Sequence, residues 1–180
     1  KTGTISGTVF ISNTSATGGG AIYVGGTSGT AVVTVTNGYF ERNVCATSDC
    51  MGGGMYANAP VTLVDTDFYS NTGGTGNYGG GGLYGIPGAT ITGGQFRYNT
   101  GFNGGGLSSG LGFNTTFVIS GTQFIGNTAS ITGTGGGAVY SNPNTGSSVL
   151  LVNVYAAGNS AKAGGAVYAG RTMTVTGSVF

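Results

Sequence analysis

The chain has 180 residues, 41 of them glycine, and only nine charged side chains with a net charge of +1. Three prolines exclude a collagen triple helix, and 38% hydrophobic residues with so little net charge exclude a disordered chain. Five scattered Lys and Arg cannot neutralise a nucleic-acid backbone, and no apolar run reaches the roughly 18 residues of a membrane-spanning helix.

In chain order, the first predicted element is a short strand through Ile5 that stops at Gly7. A second strand carries Phe10 and reaches Asn13, and a third carries Gly-Gly-Ala-Ile-Tyr, ending at Tyr23. The same three phrases then return. Val35 and Asn37 precede Phe40 and Asn43, with GGGMY ending at Tyr56. Leu63 and Asp65 precede Phe68 and Asn71, with GGGLY ending at Tyr84. Ile91 and Gly93 precede Phe96 and Asn99, and Ile119 and Gly121 precede Phe124 and Asn127, followed by GGGLS and GGAVY. A sixth copy has Leu151, Asn153, Ala156 in place of the aromatic, Asn159 and a second GGAVY. A seventh begins with Val175 and Gly177 and reaches Phe180.

The third residue before each Phe position is always Gly, Asn or Asp. These residues tolerate the left-handed backbone region, so a bend is expected there between two strands. Gly7 and Gly177 lie 170 residues apart across six repeats, or about 28 residues per repeat. No 3.6-residue period appears. Three short strands and three bends in that length describe one coil of a parallel β-solenoid. The chain reads as a single all-β domain over 1–180, with six to seven coils about 4.8 Å apart and a length of roughly 30 Å. Phe10, Phe40, Phe68, Phe96 and Phe124 are expected to stack inward. Asn13, Asn43, Asn71, Asn99, Asn127 and Asn159 are expected to form an amide ladder at a bend. Segment length varies between each Asn and the following Gly-Gly, which places surface loops on that edge.

Alternating GGA[ILV] and FxxN resembles the repeats of the chlamydial polymorphic membrane proteins. It stands here as GGAI at 19–22, GGAV at 136–139 and 164–167, with FISN, FERN, FYSN, FRYN and FIGN. The resemblance covers nearly the whole chain. It implies a right-handed, pectin-lyase-like parallel β-helix in a bacterial surface protein. Adhesin passengers, stalks and filament subunits share such repeats, and residues 1–180 depart from the chlamydial family in including no membrane barrel.

Few residues carry chemistry. Cys45 and Cys50, in CATSDC, are expected to form a local disulfide in a secreted protein, with free thiols as the alternative. A metal would need two further ligands, and histidine is absent. The acids are Glu41, Asp49, Asp65 and Asp67. The polysaccharide lyases and hydrolases that share the β-helix need clustered carboxylates, whereas Asp65 occupies a bend, Asp67 reads as a solvated strand residue, and Glu41 with Arg42 as an exposed pair. No enzyme activity and no cofactor are expected. An outward face with Thr34, Thr36, Thr62, Thr90, Thr92, Thr174 and Thr176 resembles the Thr-x-Thr ranks of ice-binding solenoids. Val118, Leu150 and Val152 interrupt it, and exposed threonine is also simply a good strand residue.

The chain thus reads as a structural extracellular or cell-surface protein. Its expected partners are copies of itself, end to end or side by side, and a host surface, neighbouring cell or glycan. It begins at Lys1 without Met, which reads as a processed or excised piece, and neither end shows a helical or charged cap.

Overall fold

The computed structural model describes residues 2–26, 32–76, 79–110, 116–130, 134–144 and 146–180. Every regular element among them is a strand, every strand pair is parallel, and each strand pairs with its counterpart one repeat away. The chain is a β-solenoid.

Three long sheets run along it. The first face contains seven strands: Thr2–Ser6, Val32–Thr36, Val61–Val64, Gly88–Thr92, Thr116–Ser120, Ser148–Val152 and Thr172–Thr176. The second contains six, centred on the Phe positions: Val9–Ile11, Tyr39–Glu41, Asp67–Tyr69, Gln95–Arg97, Gln123–Ile125 and Tyr155–Ala157. The third also contains six: Ile22–Val24, Met55–Ala57, Leu83–Gly85, Leu107–Ser109, Val139–Ser141 and Val167–Ala169.

Each coil is more divided than its pattern suggests. The first glycine of each Gly-Gly is not continuous with the following strand. Gly52, Gly80, Gly104, Gly136 and Gly164 bridge one another as a separate short ladder, and Val44, Thr72, Thr100, Thr128 and Ser160 make another. The Phe strand also ends before the Asn, because the residue ahead of each Asn turns the chain. Ser12, Arg42, Ser70, Tyr98, Gly126 and Gly158 all have φ between 52° and 63°. The bend expected at Gly7, Asn37, Asp65, Gly93, Gly121, Asn153 and Gly177 is there, with φ from 46° to 67°.

The interior follows the period of two. On the first face Val35, Leu63, Ile91, Ile119 and Leu151 are buried and face inward, as are Val61, Ala89, Phe117 and Val149. Phe40, Phe68, Phe96 and Phe124 are fully buried, and their rings stack 4.5–5.0 Å apart at interplanar angles of 7–12°. Phe10 extends the stack at 4.7 Å. Parallel rings at this offset follow from in-register strands, since each ring sits one coil above the last. The third residue of each glycine trio lies against this column. A Cβ on Gly54, Gly82 or Gly106 would press on the rings of Phe68, Phe96 or Phe124. The corresponding position before Ala156 is Ala138, where no ring is present.

Asparagine closes the coil on the other side of the Phe strand. The Nδ2 of Asn43 donates to Oδ1 of Asn71 at 2.9 Å and to the carbonyl of Phe10 at 3.0 Å, while the Asn43 backbone N–H donates to the same Oδ1 at 3.0 Å. Asn71, Asn99 and Asn127 repeat the arrangement toward Asn99, Asn127 and Asn159. A hydroxyl on every second coil supports the other bend. Thr66 accepts from Gly38 N–H and reaches the Val35 carbonyl, Thr122 donates to the Gly93 carbonyl, and Ser178 accepts from Val154 N–H.

Removing one interior rung leaves several buried groups without partners. Asn71→Ala strips the acceptor shared by Asn43 N–H and Asn43 Nδ2 and one donor from the Phe40 carbonyl, while the Asn71 N–H still reaches Asn99 Oδ1. At about 1–3 kcal/mol for an orphaned buried group, the two Asn43 donors put the loss at about 2 kcal/mol or more. Asn13→Ala, at an exposed position, is expected to cost under about 1 kcal/mol. Urea midpoints of the two variants measure the difference, and equal shifts would contradict the ladder's role.

Candidate functional site

The loop edge begins just past the Asn ladder. Cys45 and Cys50 are disulfide-bonded with Cα atoms 5.3 Å apart, and both are buried. The loop they close is stacked between its neighbours. Ala46 N–H donates to the Ser15 carbonyl, Thr47 Oγ1 donates to the Ala16 carbonyl at 2.6 Å, and Cys45 N–H donates to the Thr72 carbonyl. On the other side Gly74 lies against the carbonyls of Thr47 and Cys50, so closely that no Cβ would fit. The Cys45–Cys50 loop therefore forms an ordered continuation of the stack.

Next to this braced segment is a cleft of about 450 Å³. It is lined from three successive coils, by Thr72 to Thr75, by Thr100 to Phe102 and by Thr128 to Ser130. Its surface is mostly apolar, with the Thr72, Thr100 and Thr128 hydroxyl positions rising one coil at a time. The volume suits a small ligand. Few polar groups converge on it, so it offers shape and little chemical direction.

A second variable arc joins the third face to the first. Two residues separate Gly85 from Gly88 and Ala169 from Thr172, but six separate Ser109 from Thr116 and Ser141 from Ser148. The repeat pattern places variation on the Asn side alone. The unequal distances from each tyrosine to the next apolar pair carried the missing signal. In this region Tyr84, Ser108 and Tyr140 occupy outward strand positions yet are buried. The middle of the third face is not solvent surface.

The threonine face is outward, as expected. Thr4, Thr34, Thr62 and Thr90 are in register as four consecutive rungs, and the rank continues with Val118, Leu150 and Thr174. The companion rank runs Ser6, Thr36, Val64, Thr92, Ser120, Val152 and Thr176. Thr90, Thr92, Thr174 and Thr176 are exposed, while Thr34, Thr36 and Thr62 are half-buried.

The densest polar grouping is on the second face. Tyr39, Asp67 and Gln95 form one outward column, and Glu41, Tyr69 and Arg97 the column beside it. Gln95 Nε2 donates to Asp67 Oδ2 at 3.0 Å, Arg97 donates to Gln123 Oε1 at 3.3 Å, and Arg42 Nε lies 3.3 Å from Glu41 Oε1. Partial burial, and then the carboxylates of Glu41 and Asp67, hold the Tyr39 phenol above its ordinary range. Asp67 is half-buried and hydrogen-bonded to Gln95, a correction to the solvated strand residue that its sequence position suggests. Asp65 is the exposed bend residue expected. Among the described residues, no three of His, Cys, Asp and Glu come close enough to hold a metal ion.

These features define a class by architecture: a parallel β-solenoid with an internal asparagine ladder, a disulfide-braced loop edge and one polar face. Compared with known protein families, with curated proteins and with solved structures, the chain matches none.

The disulfide closes a six-residue loop, worth about 2 kcal/mol on a chain-entropy basis. Replacing Cys45 and Cys50 by Ser is expected to speed amide exchange at Ala46 and Gly73. Exchange at Phe68 and Phe96 should stay at the wild-type rate. Uniform acceleration across both regions would show that the bridge supports the whole fold.

Proposed function

We propose that the chain is a structural, extracellular rod segment of a bacterial surface protein, serving as an adhesin passenger, stalk or self-assembling filament subunit. The observation that carries this reading is continuity. One asparagine ladder passes through successive coils without a break, and a phenylalanine stack runs beside it from Phe10 to Phe124, so stiffness is built into the repeat itself. The disulfide fits an oxidising compartment. The resemblance to polymorphic membrane protein repeats supplies the expectation of a bacterial surface. The coils act as a scaffold, and the two variable edges and the second face meet the surroundings.

Self-association is part of this proposal: every strand pairs in parallel with its counterpart one coil away, so an open end of such a stack offers backbone groups to a strand of another copy. A second reading, ice binding, draws on the four in-register threonines from Thr4 to Thr90, since a regular rank of hydroxyls and methyls on a flat sheet can order water.

Two measurements on the purified chain decide between these readings. Light scattering over a concentration series is expected to show association, reduced by Val175→Lys, which puts a charge on the open edge. Nanolitre osmometry is expected to show no thermal hysteresis. A monomer at every concentration would remove the filament form, and hysteresis abolished by Thr62→Leu would replace the structural reading with the ice-binding one.

A further inference from the structure

Tyrosine recurs at the outward positions of the third face. Tyr23 pairs with Tyr56, Tyr56 with Tyr84, and Tyr140 with Tyr168 in the parallel register, so each phenol starts one coil from the next. The disulfide joins two residues of a single coil, and among the described residues coil-to-coil cohesion rests on hydrogen bonds and packing. We propose that Tyr23 and Tyr56 are a site of oxidative cross-linking, coupled ring to ring as a dityrosine that fastens one coil covalently to the next.

Geometry separates this pair from the other tyrosine pairs. A dityrosine joins the ring carbons beside the two hydroxyls, with the ring planes twisted by an intermediate angle. Stacked rings present faces to one another, and perpendicular rings aim an edge at a face. The Tyr23 and Tyr56 rings do neither: their centroids are 4.8 Å apart and their planes are inclined by 38°. One carbon–carbon bond and two ring radii put bonded rings about 4.3 Å apart, so rotation of the side chains alone closes the gap. Tyr56 and Tyr84 lie at 5.3 Å and 68°, and Tyr69 and Tyr98 on the second face at 5.6 Å and 85°. Tyr140 and Tyr168 stack at 5.4 Å and 18°, with Tyr140 buried.

Exposure favours the same pair. Tyr23 is 55% exposed, and Tyr56 is half-buried beside it. A Cβ on Gly18 or Gly25 would come within 3.2 Å or 3.1 Å of the Tyr23 side chain, so the ring lies over its own coil instead of projecting away. An oxidant in solvent reaches the first phenol, whose partner is already in place. Fixed proximity of this kind makes coupling within one molecule outrun coupling between molecules.

The reaction is a two-electron oxidation. Each phenol loses one electron and its O–H proton, and the two radicals join through a new bond between Cε positions. The hydrogen on each bonded Cε then moves to its ring's oxygen, restoring both phenols. The two electrons and two protons reduce hydrogen peroxide to two waters at a haem peroxidase. The inference rests on the extracellular reading only for the presence of such an oxidant.

The test treats the folded chain, at micromolar concentration, with a haem peroxidase and hydrogen peroxide, and maps joined peptides by mass spectrometry. A monomer lighter by two hydrogens is expected, with the Tyr23 and Tyr56 peptides joined and the urea midpoint raised. Tyr23→Phe and Tyr56→Phe keep the rings, and each should lower dityrosine fluorescence of the monomer by about tenfold or more. Tyr98→Phe should leave it unchanged, and treatment in urea should scatter the cross-links over other tyrosines. No dityrosine within the monomer, equal or greater yield at another pair, or the same pattern in the unfolded chain would overturn the proposal. Because the oxidant is supplied, a negative result counts against the site and not against the extracellular reading.

Discussion

The asparagine ladder is the interaction on which the rest of the structure depends. Each interior carboxamide accepts through Oδ1 from the preceding coil and donates through Nδ2 to the following coil and to a phenylalanine carbonyl. All point the same way along the axis. A buried amide has two donors and an acceptor to satisfy, and stacking identical amides one strand spacing apart satisfies the acceptor and one donor, with a phenylalanine carbonyl taking the other. No other side chain of that size presents both functions at the right separation.

The ladder also explains how coils of unequal length remain in register. Successive asparagines are 30, 28, 28, 28 and 32 residues apart, yet their side-chain bonds stay between 2.8 and 3.0 Å. Length differences are taken up outside the ladder, by the loops after each Asn and by the arc between the third and first faces. Variation is thereby confined to two edges, while the polar second face stays geometrically regular.

Much of this was legible because repetition turns single residues into columns. One Phe says little, but five at matching positions require a shared environment, and the stack is there. The bend at Gly, Asn or Asp was readable because those residue types share tolerance of positive φ. The second bend was not. Ser12, Arg42, Ser70 and Tyr98 adopt φ of 52–55° without any such preference, held there because the next residue's side chain is fixed in the ladder. Context imposed what the residue type did not suggest. The burial of Tyr84 and Tyr140 was invisible for a related reason: strand alternation predicts direction, not what lies beyond. The polar grouping on the second face was hidden because Tyr39, Asp67 and Arg97 are each about one repeat apart in sequence and meet only through the register.

The account stands or falls on whether the asparagine side chains are locked between coils in solution. Hydrogen exchange of their carboxamide protons, followed residue by residue by NMR, reads this directly. Asn43, Asn71, Asn99 and Asn127 are expected to retain Nδ2 protons far longer than an exposed asparagine such as Asn37 or Asn153. Exchange of all six at one fast rate would contradict the ladder, and with it the stacked rod.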